Sequence, residues 1–320
     1  MAEGVNRSAL GRVVAVVNGK GGVGKTTITA NVGGLLAASG YRVMLVDLDP
    51  QGNLGEELGY TGQGSDDRGR ALAQALAFGG SLVPEVDVRR GLDVLVGGAS
   101  LDMAAAGLTM LAQKDPLRAK SALAIALSEI APRYDLVLID CPPGQETLQQ
   151  AALTAARWAL IPVKTDASSR KGLRDVARRL DAVVDANPDL DLLGVVLFGV
   201  NRGATRVIES ARAAIIADLG EGAPVLETTI RHVEAAAQEA RDRGLLVHEL
   251  ERAVLAGPKW YEVRRSGLRH DGPRSRSASG LADDLQALGA EIIARITEGE
   301  AVPPGKHQVA TGGRGCDECR

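Results

Sequence analysis

Aromatic residues are scarce in this 320-residue chain, which has two tryptophans, four tyrosines and two phenylalanines. Its core must therefore come from small aliphatic side chains, and a 45% hydrophobic share, mostly Ala, Val and Leu, is enough to build one. Cysteine is scarcer still. Cys141, Cys316 and Cys319 are too few for a disulfide framework and suit a reducing cytoplasm. Neither sign of charge dominates: the formal net charge is −3, so no global positive field draws the chain to nucleic acid or membrane. Such binding must come from a local patch. No uninterrupted apolar run approaches the roughly 18 residues that read as a membrane span. Residues 1–12 lack the apolar core of a secretory leader. Internal repeats are absent as well. The length accommodates one domain of about 250 residues with tails and leaves room for two.

Glycine is plentiful, and one glycine-rich stretch organises the rest: Gly19-Lys20-Gly21-Gly22-Val23-Gly24-Lys25-Thr26-Thr27. An apolar run at 13–17 leads into it and a helix-like stretch at 28–39 follows. Gly, four residues, then Gly-Lys-Thr is the spacing of a phosphate-cradling loop in its strand–loop–helix setting. Glycines leave the backbone N–H groups free to wrap a polyphosphate. The helix N-terminus aims its positive end at the same charge. Lys25 is expected against the β- and γ-phosphates, and the Thr26 hydroxyl on Mg²⁺. The implied ligand is a nucleoside triphosphate.

Apolar runs at 13–17, 43–46, 92–96, 136–139, 160–163, 193–200 and 224–226 read as strands, most of them buried on both faces as in a parallel sheet. Helical stretches separate nearly all of them. This alternation predicts an α/β fold: one doubly wound, mostly parallel sheet with helices on both faces and its ligand at the carboxyl ends of the strands. The chemically suggestive residues fall at those ends. Asp47 and Asp49 close the second run ahead of Pro50. Carboxylates there orient or deprotonate an attacking water, or hold a water of the Mg²⁺ shell; helix-capping aspartates are the plainer alternative. Asp140 ends the run at 136–139 in the Walker B manner, on the Mg²⁺ side. Cys141, just behind a buried strand, reads as a small hydrophobe.

The loop at 19–27, the stretch Val46-Asp47-Leu48-Asp49-Pro50-Gln51-Gly52-Asn53 and the segment Asp140-Cys141-Pro142-Pro143 resemble the three motifs of the ParA/MinD family of deviant Walker A ATPases. Weaker similarity extends over roughly residues 12–250. The resemblance implies a P-loop fold, ATP and Mg²⁺ as ligands, and slow ATP hydrolysis. Gly19, Lys20, Gly21, Gly22, Val23, Gly24, Lys25, Thr26 and Thr27 would surround the phosphates, and Asn201 would lie near the adenine. Lys20, which the loop motif alone would leave as a solvated lysine, would reach across a dimer interface to the partner's nucleotide. Asp49 would activate water, with Lys20 and Lys25 as the catalytic cations; Thr26, Asp47 and Asp140 would serve the metal. ParA-type resemblance further implies an ATP-dependent homodimer, non-specific duplex DNA, a ParB-like centromere-binding or adaptor partner, and a cytoplasmic, nucleoid-associated location without a membrane. A MinD-like membrane-surface regulator and a metabolic ATP-dependent ligase or synthetase are the alternatives. One departure stands out: Arg231 occupies the place of the family's usual proline in the segment 228–244, which weakens any transfer of DNA contacts.

Two basic stretches remain. Arg170, Lys171, Arg174, Arg178 and Arg179 recur at helix-like intervals, either tracking DNA phosphates or lining a solvated face. Arg202 is an outlier near the expected nucleotide. Residues 258–276, with Trp260 and Tyr261, read as a flexible linker or a DNA-binding arm. The closing helix at 281–296 carries Leu281, Leu285, Leu288, Ile292 and Ile296 in one stripe, read as core packing rather than a membrane anchor. The expected organisation is a tail at 1–11, an ATPase domain at 12–297 with a basic insertion at about 258–280, and a disordered tail at 298–320. In that tail Cys316 and Cys319 supply only half of a tetrahedral zinc site.

Overall fold

Side chains on successive strand residues point to opposite faces, and in this chain both faces are apolar. In β1 (Val13–Val16), Val13 and Ala15 join one core while Val14 and Val16 join the other. The computed structural model describes residues 4–257 and 277–301, with 265, 272, 273 and 275 between them; the side chains of 167–172 and 174 lie outside that description. Most of the expected insertion at about 258–280 lies outside the described residues, as do the residues from 302 onward, with Cys316 and Cys319.

The other strands are β2 (Val43–Asp47), β3 (Glu85–Arg89), β4 (Leu92–Leu95), β5 (Leu136–Asp140), β6 (Trp158–Val163), β7 (Asp191–Val200) and β8 (Val225–Arg231). They form one sheet in the order β3-β4-β2-β5-β1-β6-β7-β8, parallel throughout except for β3. One face is covered by α1 (Lys25–Ala38), α2 (Asn53–Leu58), α9 (Glu234–Asp242), α10 (Val247–Ala256) and α11 (Ala278–Glu300). The other is covered by α3 (Arg70–Phe78), α4 (Leu101–Lys114), α5 (Pro116–Ile130), α6 (Glu146–Ala155), α7 (Ala167–Asp181) and α8 (Thr205–Leu219). This is the doubly wound architecture the alternation predicts.

The structure departs from the sequence reading at the margins. β3 has no counterpart among the apolar runs, because its side chains are exposed or half-buried and its hairpin to β4 is irregular, with Asp87 at φ 52°. Within the expected tail, residues 7–10 are packed onto the domain. Residues Arg7–Leu10 form a 3-10 turn that buries Leu10, and the Arg7 Nη2 donates to Ala186 O at 2.5 Å. At the other end α11 continues to Glu300, past the expected boundary at 297. Its apolar stripe, Leu281, Leu285, Leu288, Ile292 and Ile296, is buried among α1, α10 and the sheet.

Deleting part of that stripe leaves a void that rigid neighbours cannot close. Leu285→Ala is expected to cost about 2–5 kcal/mol of unfolding free energy. Leu255→Ala, at a residue 75% exposed, should stay within about 0.5 kcal/mol. Urea unfolding of the two variants beside the unmodified chain checks the difference.

Candidate nucleotide site

β1 pairs with β5 on one side and β6 on the other, so the chain leaves β1 where the strand order reverses, at a natural ligand crevice. Asn18, fully buried, sets the exit. Its Nδ2 donates to Pro162 O at 2.8 Å, and its Oδ1 accepts from the Lys20 N–H at 2.9 Å. The loop ends at Gly24, the cap of α1. Gly24 has φ 93°, and a Cβ there would stand 2.4 Å from the Phe198 ring, so neither conformation nor space admits a side chain. The first helical bond runs from Ile28 N–H to Gly24 O at 2.9 Å. The N–H groups of Lys25, Thr26 and Thr27 therefore precede the ladder and need a partner from outside it.

Two lysines answer to different surroundings. Lys25 is buried, its Nζ donating to Lys20 O at 3.0 Å, and burial pulls its pKa down against the raising influence of Asp140. Lys20 stands at the rim, where its Nζ pairs with Asp166 at 3.1 Å. Thr27 turns its hydroxyl to Glu57 Oε1 at 2.9 Å, and Glu57 in turn receives Arg241 at 3.2 Å, which ties α1 to α2 and α9.

The carboxylates converge from neighbouring strands. Asp47 ends β2 and is in direct register with Asp140 at the end of β5. Both are fully buried. Asp47 Oδ1 accepts the Asp49 N–H at 2.9 Å, and Asp49 Oδ1 accepts the Gln51 N–H at 2.9 Å, so the turn after β2 is held by its own aspartates. Asp47 Oδ2 and both oxygens of Asp140 are buried and have no hydrogen-bond partner among the described residues. Burial first, and then Asp140, pushes the Asp47 pKa well above its ordinary value. Burial likewise pushes Asp140 to about 7, against the Thr26 hydroxyl and the Lys25 ammonium. Orphaned buried carboxylate oxygens beside a threonine hydroxyl suit a hard divalent cation such as Mg²⁺, bound partly by water and phosphate. Among the described residues no three His, Cys, Asp or Glu side chains gather as a self-sufficient metal cluster. Cys141 is buried, and burial raises its thiol pKa, as a small hydrophobe requires.

The structure thus brings Gly19 to Thr27, Asp47, Asp49 and Asp140 to one mouth. Asn201 stands exposed just past β7, at the strand end that carries Phe198 against Gly24. The basic helix needs correction. Its charges do not share one outward face: Arg178 is exposed and paired with Asp175, whereas Arg179 turns inward and donates to Gln149 Oε1. Helical spacing alone does not reveal that inward turn. The side chains of Arg170, Lys171 and Arg174 lie outside the described residues, and Arg202 is exposed beside Asn201. Arg231 is committed to Asp284 of α11 at 2.7 Å, which accounts for its place at the strand end. Sequence reasoning missed Asn18, Glu57 and Asp166. Of these only Asn18 left a signal, a polar residue ending an apolar strand.

A strand, a glycine-rich loop opening into a helix N-terminus and two strand-end carboxylates in this disposition define a P-loop nucleoside triphosphatase. A family model described as AAA domain matches residues 11–192. The chromosome partitioning protein ParA of Caulobacter vibrioides is 38% identical over 195 residues, covering 60% of this chain and 70% of that protein. Among solved structures, cobyrinic acid a,c-diamide synthase of Mycobacterium smegmatis, with a bound ATP analogue and magnesium, superposes with a TM-score of 0.60 at 30% identity. It covers 82% of this chain and 98% of its own. The cell division ATPase MinD of Pyrococcus furiosus shares the fold, with a TM-score of 0.62 at 23% identity over 89% of this chain and 99% of its own. The chain belongs to the ParA family of chromosome-partitioning ATPases.

The buried carboxylates make ligand-free stability depend on pH. From the ordinary aspartate range up to about 7, folded Asp140 keeps a proton that the unfolded chain has released. Stability is therefore fully present below that window and lost as pH rises through it. Asp140→Asn should remove this slope, leaving the share of Asp47. Urea midpoints at about pH 5 and about pH 8, without nucleotide or Mg²⁺, check it: the wild-type midpoint should fall more than the variant's.

Proposed function

We propose that this chain is an ATP-driven switch of the ParA type, which binds ATP and Mg²⁺, dimerises around the nucleotide, holds duplex DNA without sequence preference, and releases it on hydrolysis. The observation that carries the proposal is the pair of lysines in one loop. Lys25 is buried at the start of α1, and Lys20 is held at the rim by Asp166. Lys25 and the N–H groups at the start of α1 would hold the phosphates. Lys20 at the rim would leave Asp166 for the nucleotide of a second copy. Thr26, Asp47 and Asp140 would hold Mg²⁺, which when bound neutralises charge building on the phosphates. Asp49, fixed by its own turn, would orient the attacking water. Loss of the terminal phosphate removes the charge that the two lysines share, and the dimer parts. A ParB-like centromere-binding or adaptor protein is the stimulating partner this reading calls for, acting on the nucleoid.

A second reading, a metabolic ATP-dependent synthetase on the same architecture, is favoured by the Mycobacterium smegmatis structure. Turnover indifferent to DNA and to any partner would support it.

Lys25→Ala should abolish ATP binding, because the phosphates lose their nearest counter-charge. Lys20→Ala should leave nucleotide binding by the monomer intact while preventing the ATP-dependent dimer and slowing hydrolysis. Nucleotide titration paired with analytical ultracentrifugation separates the two. An equal loss of ATP affinity in both variants sinks the role given to Lys20.

DNA binding in the presence of ATP should fall steeply with salt, each neutralised phosphate contributing roughly −0.9 to the log–log slope. Replacing Arg170, Lys171, Arg174, Arg178 and Arg202 by Glu, with Arg179 left in place, should weaken that binding and flatten the slope. Filter binding over a salt series measures both. Unchanged binding would move the contact to residues 258–276, and a wild-type chain that never binds DNA ends the partitioning reading.

A further inference from the structure

Arg179 is a cation with a neutral partner. It is half-buried near the end of α7, its Nη1 donates to Gln149 Oε1, and among the described residues it joins no ion pair. Gln149 of α6 is fully buried, and its Nε2 donates to Pro142 O, two residues beyond Asp140. On its other side the guanidinium lies against the phosphate loop. A Cβ built on Gly19 would stand 3.2 Å from Nη1 and 3.3 Å from Nη2 of Arg179. The same charge bears on Cys141, the neighbour of Asp140. Arg179 therefore reaches from the first residue of the loop to the segment behind the β5 carboxylate.

A partly dehydrated guanidinium regains little from one neutral amide, whereas its rigid fork of N–H donors matches the oxygens of a phosphate. The absence of a side chain at Gly19 leaves nothing between that fork and the loop. The rim end of α7 follows the same pattern, since Asp166, just ahead of the helix, is held by Lys20. Each of these two ties between α7 and the mouth is made by a cation that phosphate attracts.

We propose that Arg179 is a phosphate ligand of the nucleotide site, a third cation beside Lys20 and Lys25, which engages the terminal phosphate and in doing so lets go of Gln149. The proposal rests on the ATP reading above. It places the end of α7 under the control of the terminal phosphate, and it withdraws Arg179 from any DNA-contacting face.

The test uses the full chain, Arg179→Met, which keeps an unbranched stem without the charge, and Arg179→Lys. AMPPNP and ADP, each with Mg²⁺, are titrated by calorimetry, and melting temperatures are recorded without ligand. A charged hydrogen bond is worth about 1.5–3 kcal/mol, so Arg179→Met should weaken AMPPNP by roughly tenfold or more. ADP should weaken far less, and Arg179→Lys should recover part of the AMPPNP affinity. Unchanged AMPPNP affinity overturns the proposal. Equal losses for both nucleotides with a lowered melting temperature also overturn it, leaving Arg179 a structural strut. A wild-type chain that binds neither nucleotide refutes the ATP reading itself, and that result is visible before any substitution is made.

Discussion

Two buried carboxylates of like charge, Asp47 and Asp140, stand on paired strands in direct register, and the rest of the site is arranged around that repulsion. Three of their four oxygens accept no hydrogen bond from the described residues, and the fourth accepts the Asp49 N–H. The nearest relief is Lys25, itself pulled out of water and correspondingly reluctant to hold its proton. A pocket with acids pushed toward neutrality and a base pushed the same way is unfinished without a ligand. Polyphosphate and a divalent cation supply the missing charges of both signs at once. The surrounding polar ties, from Asn18 to Pro162 and from Asp49 to Gln51, hold the segments that carry these groups in place before any ligand arrives.

Much of this was legible in the sequence because the sheet is parallel and buried on both faces. Strands of that kind are written as continuous apolar runs, and β1, β2, β4, β5 and β7 fall on such runs, with Asp47 and Asp140 at the ends of theirs. The phosphate loop was legible because backbone exposure at a fixed spacing demands glycine. What escaped is what the run rule does not cover. β3 is an exposed edge strand with Glu85, Asp87 and Arg89 among its five residues, so it carries no apolar signature. The turn at Arg7 is pinned by its own side chain, which reaches backbone oxygens far along the chain.

The charged residues show the same divide. Arg178 and Arg179 are adjacent and chemically identical, yet one faces solvent and the other faces Gln149 and the loop. Helical spacing separates them by about 100°, but nothing in the spacing says which direction is inward until α6 is in place. Asp166 is equally mute in the sequence, since its pairing with Lys20 spans most of the first half of the domain. Long-range polar pairs of this sort have no periodicity to betray them.

The treatment of the two sheet borders has a consequence for how copies of this chain meet. At one border β3 is short and charged, and its register to β4 slips. At the other, the N–H groups of Glu227 and Thr228 are taken by Glu291, and that of Arg231 by Asp284, both acids reaching down from α11. A short, charged, slipped strand at one border and acids capping strand N–H groups at the other both work against strand addition. Growth of the sheet from molecule to molecule is thereby discouraged, and so is the fibrous aggregation to which open-edged α/β chains are exposed.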